Sequence, residues 1–282
     1  MDGRDGELRL TRFGPEHLDQ ALGLSQALNW PYRREDWAFA ADLGSGFAAE
    51  RDGHLLGTAL WWPYGTNFAS AGMIIVSGNA QRQGIGARLT DALLADASGR
   101  PIILNSTREG AALYARLGFR PYGRIIQHQA KLDRRPQPVA NVALRRNRDD
   151  ERAAILALDR AGSGMERARM VGAVLDMADT VVVERDGRIA GYGCVRRWGR
   201  GVVIGPIIAG GQTDARAIIA ALAAGCVGEF VRIDVTDHSG LAAWLEELGL
   251  PAVDDAESMV LGTPPEASAQ ATLFALANQS LG

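Results

Sequence analysis

Two cysteines in 282 residues, Cys194 and Cys226, are too few for a disulfide framework, and neither sits in C-x-x-C spacing. A secreted, bridge-stapled fold and a thiolate metal site are therefore not expected. No apolar run approaches the roughly 20 residues of a membrane span. The opening Met1-Asp2-Gly3-Arg4-Asp5-Gly6-Glu7 is polar, without the apolar centre of a signal peptide. Excess charge is also missing: the net value is −3, which gives no footing for a nucleic-acid interface. With 47% hydrophobic and 22% charged residues, the expectation is a globular cytoplasmic protein, long enough for two cores.

What is present centres on residues 71–89. Ala71 to Val76 is an apolar, β-branched run, Ser77 to Gly84 is polar and glycine-bearing, and Ile85 onward has helical spacing. That is strand, loop, helix. Gly84 and Gly86 lack a Cβ and allow close backbone approach. The unpaired N–H groups and positive dipole end of the following helix suit a pyrophosphate, and Arg82 and Arg88 add charge. A dinucleotide fingerprint is excluded, because Leu89 stands where G-x-G-x-x-G requires its third glycine.

Gln81, Gly84 and Gly86 satisfy Q-x-x-G-x-G, which resembles the acetyl-CoA pyrophosphate loop of the GCN5-related N-acetyltransferases (GNAT). A second element lies in the order that family uses. Ile102 to Ser106 reads as a strand and Thr107 to Leu117 as a helix, and the end of the segment, Leu113-Tyr114 to Gly118-Phe119, is similar to the family's LY-x-x-x-GF motif. The resemblance implies an α/β fold with a mixed sheet. Acetyl-CoA would be held by Gln81, Arg82, Gln83, Gly84, Ile85, Gly86 and Ala87, with backbone contacts from Ile74, Ile75 and Val76. It implies no metal. Asn105 has two readings, a hydrogen bond to the pantetheine arm or a helix cap, for which Ser106 and Thr107 compete.

Acetyl transfer needs a neutral amine, a donor for the carbonyl oxygen and a partner for the departing sulfur. Tyr114 is the candidate for the last. A phenol titrates roughly 1.5 units above a thiol, so it serves as a hydrogen-bond donor to the thiolate rather than a full acid. Gly110, four residues earlier on the same helix face, is expected to leave room for the cofactor. No general base is evident, since Gly72–Val76 and Pro101–Leu104 carry no acid. His128 is the one histidine on the closing strand, Gly123 to Leu132, and Glu50 stands at a hairpin end. Trp30, Tyr32, Trp61, Trp62 and Tyr64 fall in segments that border the acceptor channel in the family, with core packing the competing use; Arg196, Arg197 and Trp198 are placed to face the same cleft.

The chain then starts again. Asp133 to Pro138 is charged and proline-punctuated, a linker. Glu50-Arg51-Asp52-Gly53 returns 134 residues later as Glu184-Arg185-Asp186-Gly187, Gly57 returns at the same offset as Gly191, and Leu117-Gly118 returns as Leu248-Gly249. A duplicated domain follows: residues 1–134 as the cofactor-binding, catalytic copy, with the order β-α-α-β-β-β-α-β-α-β, and 135–282 as a degenerate copy. In the second, Gln212 and Asp214 replace Gly84 and Gly86, and Leu245 replaces Tyr114. The function expected is acetyl-CoA-dependent N-acetylation of a small-molecule or amino-acid-like amine. A non-catalytic acyl-CoA sensor and a peptide or protein N-acetyltransferase are the alternatives. The chain is expected as a monomer, itself a pseudo-dimer, or as a homodimer.

Overall fold

The computed structural model describes residues 6–97 and 99–282. Its first half runs β1 (Arg9–Arg12), α1 (Leu18–Ala27), α2 (Arg34–Leu43), β2 (Ser45–Arg51), β3 (His54–Tyr64), β4 (Phe68–Val76), α3 (Ile85–Ala97), β5 (Ile102–Ser106), α4 (Arg108–Arg116) and β6 (Arg120–Lys131). The second half repeats the order with β7 (Leu144–Arg146), α5 (Arg152–Ser163), α6 (Ala168–Leu175), β8 (Asp179–Arg185), β9 (Arg188–Trp198), β10 (Gly201–Ala209), α7 (Gln212–Ala223), β11 (Phe230–Thr236), α8 (Ala242–Glu247) and β12 (Ala252–Leu261). A short β13 (Thr272–Ala275) follows.

The repeat seen in the sequence is a repeat of backbone geometry. Asp52 and Gly53 turn the β2–β3 hairpin at φ 52° and 77°, and Asp186 and Gly187 turn β8–β9 at 50° and 71°. Positive φ at both central residues is what a tight hairpin of the right twist demands. Helices α4 and α8 also end alike. Gly118 (φ 90°) and Gly249 (φ 88°) terminate them, while Phe119 N–H donates to the Tyr114 carbonyl and Leu250 N–H to that of Leu245.

Among the described residues all thirteen strands form one sheet, in the order β1-β2-β3-β4-β5-β12-β6-β11-β13-β10-β9-β8-β7. The closing strand expected of the first half does not touch β5. Instead β12 lies between β5 and β6, pairing Ser258 with both Asn105 and Gly123, and β6 continues onto β11 through His128 and Ile233. The two halves have exchanged their last strands. Because the copies present equivalent edges, either closing strand satisfies either edge, and the exchange leaves no open edge at the centre.

Among the described residues three cores support the sheet. One lies beneath α3 and α4, with Leu89, Leu93, Leu104 and Phe119; one beneath α7 and α8, with Ile218, Leu222 and Leu245. The third is common to both halves. It joins Trp37, Trp62 and Tyr64 of the first to Ile155, Val171 and Tyr192 of the second, and includes Leu281. Inside it Arg167 and Asp159 pair at 2.7 Å with side-chain exposures of 0% and 2%, and the Tyr192 hydroxyl donates to Asp159 at 2.5 Å. Both cysteines are free and buried. Among the described residues no helix is long and apolar enough to cross a membrane.

Candidate functional site

The site is built on an irregular strand. Strand β4 pairs with β3 at Leu60–Gly72 and at Thr58–Ile75, so the register slips between them. Met73 absorbs the extra residue at φ 50°, and Thr58 Oγ1 donates to its carbonyl at 2.7 Å. Such a bulge re-aims the backbone and leaves a peptide group out of the ladder. On the other side, β4 meets β5 only at Ala69–Ile102 and Ser70–Ile103. Beyond Ser70 the two strands diverge, opening a wedge beside Ile74, Ile75 and Val76, with Ile75 only 2% exposed.

The wedge leads into the glycine loop. Ala80 and Ile85, 3% and 1% exposed, anchor its two ends in the core. Between them Gln81, Arg82, Gln83 and Gly84 are exposed. Loop shape is held from within: Gln81 Nε2 donates to the Val76 carbonyl at 3.4 Å, Gln83 Nε2 to Asn79 at 3.3 Å, and Arg51 to Gln83 at 3.4 Å. Gly84 adopts φ 76° and nothing lies within 4 Å of where a Cβ would stand. Gly86 differs, since its Cβ would meet only ordinary contacts at 3.6 Å with Leu113 and Val76. Of the two glycines, Gly84 is the one the backbone requires. Among the described residues the amides of Gln83 through Ala87 have no protein acceptor, as the first turn of α3 dictates. This is an open cradle of N–H donors with two arginines, Arg82 and Arg88, exposed beside it, and it suits a diphosphate.

Tyr114 projects from α4 into the core that also holds Ile85, Leu104 and Phe119, at 8% exposure. Its ring meets Phe119 edge-on at 5.8 Å. Burial pushes the phenol up to about 12, so it stays a neutral donor across the physiological range. Among the described residues its hydroxyl has no hydrogen-bond partner. Gly110 does not hold space for a cofactor as expected: a Cβ there would stand 2.9 Å from Tyr114 Cε2, so the tyrosine ring itself takes the room. Helix α4 is capped by Thr107, whose Oγ1 accepts from Gly110 N–H at 3.3 Å. Asn105 is therefore free of the cap. Its amide nitrogen donates to the Gln279 carbonyl at 2.8 Å, and its oxygen accepts from Ser258 at 2.7 Å, both from the second half.

His128 is not at the wedge. It is fully buried on β6 between β11 and β12, its Nδ1 2.9 Å from the Leu250 carbonyl and its Nε2 without a partner. Because β6 is handed to the second half, His128 is carried away from the β4/β5 wedge with it. Glu50 accepts from Thr11 at 2.9 Å and lies 3.5 Å from His17, rather than facing open solvent. The aromatics divide. Trp61, Trp62 and Tyr64 are core, and Trp62 donates to the Ala40 carbonyl at 2.7 Å. Tyr32 meets Trp198 edge-on at 5.8 Å across the junction of the halves. Arg196 is buried there, its guanidinium pulled down to about 10 by desolvation, while Arg197 faces outward and pairs with Glu229.

The equivalent wedge in the second half is closed. Strand β10 pairs with β11 over Val202–Ile204, after which β13 fills the divergence, Ala275 opposing both Ile207 and Val235. At the start of α7, Asp214 is buried and tied to Arg185. Leu245, at the Tyr114 position, is wholly in the core. The β13 insertion has no obvious sequence signal, being four residues long. Among the described residues no group of three His, Cys, Asp or Glu side chains gathers as a metal site would require.

Two family models, each described as an acetyltransferase (GNAT) domain, match residues 42–121 and 155–275. An uncharacterized N-acetyltransferase, YitH of Bacillus subtilis, is 28% identical over 280 residues, 97% of this chain and 98% of its own. Among solved structures, an acetyltransferase described as putative from Pyrococcus horikoshii superposes with TM-score 0.81 at 20% identity, over 98% of this chain and 96% of that one. A tandem GNAT protein from the clavulanic acid biosynthesis pathway gives 0.64 at 17%, over 92% and 100%.

Proposed function

Since the chain belongs to the GNAT acetyltransferases as a tandem member, and so is an acyl-CoA-dependent acetyltransferase, we propose that it acetylates the primary amine of a small-molecule or amino-acid-like acceptor at a site in its first half. The observation that carries this reading is the contrast between the two wedges: β4/β5 is open and runs into an unpartnered amide cradle, whereas β10/β11 is filled by β13. Residues 1–134 then supply the catalytic machinery and 135–282 the closing partner.

The amides of Gln83 to Ala87 and the side chains of Arg82 and Gln81 hold the diphosphate of acetyl-CoA, and the exposed edge of Ile74 to Val76 receives the pantetheine arm as an added strand. Bound there, acetyl-CoA supplies an activated acetyl group. The peptide N–H groups freed at the Met73 bulge are aimed where charge gathers on the carbonyl oxygen. Tyr114 holds its proton and donates a hydrogen bond to the departing sulfur. No carboxylate is on β4 or β5 to take the amine proton, so the acceptor enters neutral or loses its proton to water. Tyr32 and Trp198, edge-on at 5.8 Å where the halves meet, are the aromatic pair assigned to the acceptor side. Calorimetric titration with acetyl-CoA tests the binding half of this reading, with one saturable site per chain expected. Thiol release across a panel of amines tests the chemistry, and bound cofactor without turnover of any amine counts against it.

A further inference from the structure

On the face of β5 that carries Ile102 and Leu104, α3 and α4 cover the wedge. The opposite face, away from those helices, carries Ser70, Gly72, Ile103 and Asn105, and there the chain places its own residues 278–282. Ser70 Oγ donates to the Ser280 carbonyl at 2.6 Å from β4, and Asn105 donates to the Gln279 carbonyl from β5. The segment thus lies across the mouth of the wedge, one contact on each strand. Tyr64 donates to the Leu281 carbonyl. Asn278 folds the segment back on itself, its Oδ1 accepting from Ser280 and Leu281 N–H at 2.9 and 2.8 Å. Leu281 is fully buried in the shared core. With so many ties this is fixed structure, not a loose strap.

We propose that Asn278–Gly282, a segment of the second half, is the acceptor-side wall of the transfer site in the first, and that Gln279 and Ser280 determine which acceptors fit. The inference rests on transfer taking place at the Met73 bulge. Ser280 packs against β4 one residue before that bulge: a Cβ on Gly72 would come within 2.8 Å of Ser280 Cβ and 2.9 Å of its Oγ. Gln279 turns its side chain along the sheet face, 3.3 Å from both Gln127 Oε1 and Asp234 Oδ1. Those two residues oppose each other across β6 and β11, so Gln279 joins the wall to a polar floor that exists only because the strands are exchanged. The same stretch of chain that fills the second wedge as β13 goes on to border the first, which gives the degenerate half a direct part in selection.

The test uses the full chain as Gly72→Ala, Gln279→Ala and the double variant Gly72→Ala with Ser280→Gly. Acetyl-CoA affinity is measured by calorimetry. Thiol release is measured in buffer alone and with glycine, ethanolamine, 1,4-diaminobutane or glucosamine. In buffer, water adds to the thioester carbonyl and the carbon–sulfur bond breaks; one water proton ends on the thiol, and the acetic acid formed ionises to acetate, releasing the other proton to the buffer. Gly72→Ala pushes Ser280 away, and this hydrolysis is expected to rise several-fold while acetyl-CoA affinity stays within twofold. The double variant removes the contacts at 2.8 and 2.9 Å and leaves one of 3.0 Å to Ser280 Cα, so hydrolysis falls most of the way back towards the wild-type rate. Gln279→Ala is expected to change the ranking of the amines by fivefold or more in kcat/KM. Variants that bind acetyl-CoA normally but leave both hydrolysis and amine ranking unchanged overturn the wall. A wild-type chain that does not bind acetyl-CoA overturns the functional reading instead, and the two failures are distinct. If no amine turns over, hydrolysis alone decides.

Discussion

Replacing Tyr114 with Phe isolates the one side-chain donor assigned to the departing sulfur. The hydroxyl has no protein partner among the described residues, and the ring is held by Phe119 and the α3/α4 core. Removing one oxygen therefore leaves packing intact, and the melting temperature should move by no more than about a degree. The rate should respond strongly. A hydrogen bond from a neutral donor to a charged acceptor contributes about 1.5–3 kcal/mol, and each 1.36 kcal/mol is tenfold in rate, so kcat should fall about 10- to 150-fold. Acetyl-CoA affinity, set at the loop and strand backbone, should change less than about twofold, because the bond forms only as negative charge builds. Because burial raises the phenol to about 12, the wild-type pH–rate profile should show no loss of this donor below pH 10. Steady-state kinetics with calorimetric binding decide the matter. An unchanged kcat, or a loss seen wholly in cofactor affinity, refutes the assignment.

Gly84→Ala forces an L side chain into φ 76° and should cost about 1–2 kcal/mol of stability without any clash. It should weaken acetyl-CoA on the order of tenfold, about 1.4 kcal/mol, by calorimetry; unaltered affinity removes the loop from the binding site. Asp159→Ala leaves Arg167 charged and unpaired in the shared core, and should lower unfolding free energy in urea by about 3–5 kcal/mol; a loss under 1 kcal/mol contradicts the buried pairing. Alkaline stability should also fall. Tyr114 and Cys194 are raised to about 12 and Tyr64 and Tyr192 are raised as well, all chiefly by burial. The unfolded chain gives up these protons from about pH 9–10, so stability is complete below that range and is lost as pH climbs towards 12. A urea midpoint that stays level from pH 9 to 11.5 is the contrary outcome.

Much of this arrangement is written locally in the chain. Asp52-Gly53 and Asp186-Gly187 specify their hairpins because few other residue pairs accept two positive φ values. The Gln81–Gly86 loop and the α4 segment carrying Tyr114 are fixed by short-range geometry, and both stand where the sequence puts them. Partner choice is another matter. Residues 120–131 read as a strand, but nothing in them favours β5 over β11 as a neighbour, so the exchange with β12 has no local signature. His128 followed its strand into the second half for that reason. Likewise Asn105 was readable as a polar strand end, but its partners, Gln279 and Ser258, are more than 150 residues away. Arg82 is a further surprise, a non-glycine at φ 62° within the loop, which composition does not disclose.

The position of β12 bears on how the protein reaches this state. Strand β5 ends at Ser106, yet its neighbour begins at Ala252. Closing so long a stretch of chain before any reward is gained makes for slow folding. Until it happens, β5 presents bare amides and carbonyls to any passing strand, so the nascent protein has a period of vulnerability to aggregation.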